Sequence, residues 1–108
     1  MKTYKVEVVP EAEEKLREYL SYLLFIKRSR QAYDAVREDY KRTLKKLRNL
    51  AGSIREPDEP ELVKRGLKKI LFDKHDYFLL YEIENGEKPV ARVIDMFHSL
   101  EDFVRKLK

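Results

Sequence analysis

By residue type, His98 is the side chain best suited to exchange a proton near neutral pH. It stands in Phe97-His98-Ser99-Leu100, where a strand-like apolar run gives way to a helix-like one. It either acts as an acid or base there, or only hydrogen-bonds near the start of that helix. Arg65, Lys68, Lys69 and Lys74 are candidates for holding phosphate. Strand alternation puts Lys68 and Lys69 on opposite faces, so at most one serves any given site. The plainer reading of all four is surface charge. Tyr81 could orient or stack on a base, or could be a core tyrosine with a bonded hydroxyl. His75 lies in a tight turn, where capping is the simpler role. The two histidines are 23 positions apart and there is no cysteine, so no metal-ligand spacing is present. Three glycines make no phosphate-cradling loop. No metal and no cofactor are expected.

These residues hang on a run from Gly66 to His98. Leu67–Phe72, Tyr77–Ile83 and Val90–Phe97 read as three strands, rich in aromatic and β-branched residues. Asp73-Lys74-His75-Asp76 joins the first pair. Glu84-Asn85-Gly86-Glu87-Lys88 joins the second, with Asn-Gly as the hairpin signal. The three form an antiparallel meander. Upstream, Tyr4, Val6 and Val8 alternate with Lys5 and Glu7, predicting a strand over Thr3–Val9. Pro10 opens a helix, whose apolar stripe is Ala12, Leu16, Tyr19, Leu20 and Leu23. After a break at Phe25–Ser29, a second helix covers Arg30–Leu50 with the stripe Ala32, Val36, Tyr40, Thr43, Leu44, Leu47 and Leu50. Gly52 is read as its left-handed C-cap. Glu56–Glu61, with two prolines and four acids, is read as an irregular loop. Ser99 caps a last short helix, with Asp102 in the capping-box position. The expected fold is α+β, ordered β-α-α-β-β-β-α, with a helical hairpin on one face of an antiparallel sheet.

At 108 residues, one domain with one modest core is expected over 1–108. Charged residues make up 41%, against about 25% in an average chain. No apolar run nears the roughly 20 residues that span a bilayer, and no signal peptide is apparent. A cytoplasmic protein with no membrane partner is expected. The net charge is +4 but unevenly spread. Residues 27–55 hold ten basic and three acidic groups, and residues 63–74 hold five and one. Such a field suits a polyanion, or is simply a solvated helix face. Lys45 and Arg48 on the second helix join Arg65, Lys69 and Lys74 as candidate nucleic-acid contacts. The acidic stretch Glu56–Glu61 is placed, as an expectation, beside that basic helix.

Four stretches resemble the RelE/ParE superfamily of toxins: Tyr4-Lys5-Val6 before a Glu- and Leu-rich helix; Leu50-Ala51-Gly52-Ser53; Gly66-Leu67-Lys68-Lys69-Ile70-Leu71-Phe72 followed by His75-Asp76-Tyr77-Phe78-Leu79-Leu80-Tyr81; and Phe97-His98-Ser99-Leu100-Glu101-Asp102-Phe103. The resemblance covers nearly the whole chain. It implies the toxin of a type II toxin–antitoxin module, of the kind linked to plasmid stabilisation, silenced by a cognate antitoxin. RelE-like members are ribosome-dependent, metal-independent mRNA endonucleases that inhibit translation. ParE-like members poison DNA gyrase.

Metal-free RNA cleavage needs a base for the 2′-hydroxyl, an acid for the leaving oxygen and cations on the phosphate. By residue type and placement, the candidates for that work are His98, Lys68 and Tyr81. Two positions depart from the pattern. Asp76 and Glu82 stand where the similar branch has arginines, so two cations have become two anions. The expected function is a ribosome-dependent mRNA endonuclease; the alternatives are therefore a gyrase inhibitor, or a degenerate module that binds its antitoxin and cuts nothing.

Overall fold

A computed structural model describes residues 2–107. Strand β1 (Lys5–Val8) leads through extended Val9 into Pro10, the first residue of helix α1 (Pro10–Ser21). Proline suits this place because its missing N–H would be unpaired anyway. Glu11 and Glu13 then meet the positive end of the helix dipole. A π-helical turn, Tyr22–Ile26, continues α1. Arg28, at φ 51°, reverses the chain in the left-handed region. The Ser29 hydroxyl accepts the Ala32 amide at 3.0 Å and starts helix α2 (Arg30–Leu50).

Strands β2 (Lys68–Leu71), β3 (Tyr77–Glu84) and β4 (Val90–His98) form the expected antiparallel meander. The sheet order is β1-β4-β3-β2, and β1 runs parallel to β4. The sheet is therefore mixed, not wholly antiparallel. Strand direction across more than eighty residues leaves no local signal, because either direction buries the same alternate side chains.

The hairpin of α1 and α2 covers one face. Leu47, Val36 and Ala12 pack there against Leu79, Tyr81, Val93 and Met96. The other face carries a second cluster, in which Leu62 and Leu67 meet Phe78, Leu80 and Phe97. Phe103 closes it, 4.9 Å from the Phe78 ring centroid. Residues Tyr77–Tyr81 are consequently buried on both faces, which explains their unbroken apolar run.

Three local expectations are corrected. Gly52 is not a left-handed cap: it lies in a 3-10 turn, Ala51–Ser53, that continues α2. Its reason is close approach, since a Cβ there would collide with the Tyr4 hydroxyl. The acidic stretch is not all loop, because Pro60 starts helix α3 (Pro60–Lys64). Nor does it lie along α2 by charge. Its acids pair with Arg55, Arg65 and Lys69. Finally, helix α4 (Phe103–Lys106) starts four residues beyond Ser99, and no side chain caps it.

Candidate functional site

His98 ends β4 opposite Tyr77 of β3, half-buried, with its ring edge-on to Tyr77 at 5.0 Å. Its Nδ1 accepts the Leu100 amide at 3.2 Å. In the neutral ring the proton is therefore on Nε2. Its own amide donates to Glu101 Oε1 at 2.9 Å and to the Tyr19 hydroxyl at 3.2 Å. Glu101 also accepts from Tyr19 and from Lys106. Burial alone would raise the Glu101 pKa. The hydrogen bonds from Lys106, Tyr19 and the His98 amide outweigh it and hold the group at about 2. Burial, then Glu101, pushes the Tyr19 hydroxyl well up. This corner joins α1, the end of β4 and the C-terminal segment. Of the cations around it, Lys106 is taken by Glu101 and Lys15 by Asp95.

Lys68 and Tyr81 are elsewhere. They face each other across β2 and β3, four residues along β3 from the Tyr77–His98 pair. Four residues correspond to about 13 Å along a strand, and Lys68 is a further two strand spacings, about 10 Å, across from His98. Lys68 Nζ donates to the Ile54 carbonyl at 2.5 Å. Tyr81 is fully buried, and its hydroxyl donates to the Ala51 carbonyl at 2.7 Å. Burial pushes that hydroxyl's pKa upward. His98, Lys68 and Tyr81 are thus not brought together, and Tyr81 has no face open to a substrate.

The candidate phosphate contacts are also dispersed. Lys69 lies on the opposite face from Lys68, as alternation requires, 2.8 Å from Glu59 and above the Phe78 and Phe103 rings. Arg65 pairs with Glu61 at 3.2 Å. The Lys74 amide is used in the β2–β3 turn. Lys45 and Arg48 are exposed on α2. Glu82 shares Arg92 with Glu7 and Glu84, three carboxylates on one guanidinium, so this patch stays net negative.

One buried group was missed. Asp39, inside α2, is fully buried. It accepts the amides of Asp73 at 3.2 Å and Lys74 at 2.9 Å, and His75 Nδ1 at 2.8 Å. Burial raises its pKa, but these three bonds more than compensate and the net shift is down. The sequence held a sign of it: Asp39 falls in phase with Val36 and Thr43 on the buried stripe. His75 caps its turn through this carboxylate, in keeping with its position. Among the described residues no group of three His, Cys, Asp or Glu side chains is placed to hold a metal ion. No helix among the described residues is long and apolar enough to cross a membrane.

No family model and no curated protein sequence matches the chain. Among solved structures, it is similar to a chain of the chromosomal ParDE TA system from P. aeruginosa. The TM-score is 0.65 at 11% identity, covering 89% of this chain and 96% of that one. The fold is thus RelE/ParE-like.

Proposed function

We propose that the chain is the toxin of a type II toxin–antitoxin module, silenced by a cognate antitoxin in the cytoplasm, and that it acts by binding its target. The first part is supported by the fold, shared along most of both chains with a component of a ParDE TA system. A chain with this fold and no antitoxin has apolar surface to cover. Tyr22, Phe25 and Ile26 stand 48%, 68% and 68% exposed at the tip of the helical hairpin, and such patches mark partner surfaces.

The observation behind the second part is separation. RNA cleavage needs the acid, base and cations within hydrogen-bond reach of one phosphate. His98 pairs with Tyr77 at the end of β3, Lys68 pairs with Tyr81 four residues on and from the other side, and Tyr81 is sealed by Ala51. Poisoning DNA gyrase, the other action the resemblance implies, asks only for a complementary surface.

A second reading keeps the ribosome-dependent mRNA endonuclease, with His98 as acid or base. What favours it is the fixed imidazole, whose Nδ1 is held by Leu100 while the ring stays half-exposed. Induction of the toxin separates the two. Gyrase-linked DNA breaks with intact mRNA support binding. Cleaved mRNA in a translating extract, lost in His98→Ala, supports the endonuclease and sinks the binding account.

A further inference from the structure

Helix α2 carries seven basic residues between Arg30 and Arg48. Arg30, Arg42 and Lys46 are each taken by a carboxylate, from Asp34, Asp39 and Asp73. Arg37, Lys41, Lys45 and Arg48 are all exposed. Among the described residues no carboxylate lies in ion-pair reach of any of these four.

At 3.6 residues per turn the four lie within an arc of about 80°, and they run about 16 Å along the axis. The row leads into a groove of about 620 Å³ between the end of α2 and β1, lined also by Lys5 and Lys88. Lys88 is exposed and has no ion-pair partner among the described residues, while Lys5 has only Glu7 at 3.7 Å. Glu38 and Glu87 are the acids beside the row and in the groove. The helix dipole favours cations in the last turn. That accounts for Arg48 and not for Arg37, three turns earlier.

We infer that this row and groove form a track for the phosphodiester backbone of a nucleic acid. The inference goes beyond the toxin reading and does not depend on it. Backbone recognition needs spaced, unpaired cations and no base contacts. A protein partner would need buried apolar anchors, and the row has none: no large apolar side chain between residues 27 and 49 is exposed.

The test is fluorescence anisotropy of a single-stranded RNA and a duplex DNA of equal length with the purified chain, from about 50 to 200 mM salt. Two variants of equal net charge are compared. One removes the row (Arg37→Gln, Lys41→Gln, Lys45→Gln, Arg48→Gln), and the other removes four cations outside α2 (Arg17→Gln, Lys27→Gln, Lys64→Gln, Arg105→Gln). Thermal melts verify that both are folded. The row variant is expected to bind at least about tenfold more weakly and to lose about three from the salt slope, at 0.7–0.9 per contact. The second variant stays within about twofold. The RNA and DNA arms identify which nucleic acid fits the track. Equal losses in both variants, or none in the row variant, overturn the inference. So does displacement of RNA by a polyglutamate peptide of equal charge at equal concentration. Growth arrest plays no part in this assay, so its failure and that of the toxin reading are told apart.

Discussion

Asp39 and His75, thirty-six residues apart, meet at 2.8 Å between the buried face of α2 and the β2–β3 turn. The carboxylate also takes two amides of that turn. With the Lys46–Asp73 ion pair, it ties α2 to the loop between the central strands. Removing the acceptor strands two amides and an imidazole, whereas removing the imidazole leaves the carboxylate with its amides. Asp39→Ala is therefore expected to cost about 3 kcal/mol and His75→Ala about 1 kcal/mol. Urea unfolding of both singles and the double variant measures this. Strict additivity in that cycle would show that the two side chains do not act together.

Much of the scaffold was legible because short-range chemistry dictates it. Tyr77–Tyr81 reads as a strand from its aromatic residues and leucines, and Arg30–Leu50 as a helix from one apolar stripe. Pro10 and Ser29 mark helix starts with their own side chains. What escaped was long-range. The direction of β1 against β4 and the packing of Phe103 on Phe78 depend on residues far apart in the chain. The site was least legible. Lys68 and Tyr81 have the right residue types, but nothing local says that Ile54 and Ala51 occupy their polar atoms.

Tyr81 separates a structural hydroxyl from a chemical one. Tyr81→Phe leaves the Ala51 carbonyl without its buried donor and should cost about 1 kcal/mol. Toxicity per folded molecule should not change. Chemical denaturation combined with growth inhibition at matched soluble levels measures both, and abolished toxicity in a fully folded Tyr81→Phe chain contradicts the assignment.

Gly52 is set by the Tyr4 hydroxyl. Gly52→Ala places a Cβ into that oxygen and should destabilise the fold by about 1–3 kcal/mol. Tyr4→Phe removes the colliding atom, so the double variant should recover part of the loss. A double variant no better than Gly52→Ala alone would show that the backbone, not the hydroxyl, sets the requirement.

Glu101 makes stability depend on acid. Its pKa falls from 4.5 unfolded to about 2 folded. The ionised form is thus favoured in the folded chain. Its contribution is fully present above pH 4.5 and is lost as pH falls toward 2. Glu101→Gln should be less stable than the parent at neutral pH, with the gap narrowing below pH 4.5. Melting temperatures of the two chains across that range test it, and a gap independent of pH would place the stabilisation elsewhere.

The exposed apolar tip of the hairpin is the surface proposed to meet the antitoxin. Phe25→Ser with Ile26→Ser removes exposed surface and should leave the melting temperature nearly unchanged, since surface substitutions rarely exceed about 0.5 kcal/mol. Antitoxin affinity should fall by tenfold or more, about 1.4 kcal/mol. Calorimetry with the antitoxin reads this directly, and unaltered affinity would move the antitoxin to another face.

The most direct test of the whole account is growth after the chain is induced by itself and then together with its antitoxin, with soluble chain measured in both cultures. The account predicts arrest in the first culture and recovery in the second. Unimpaired growth while the folded chain accumulates alone would contradict it, leaving a module that binds an antitoxin and poisons nothing.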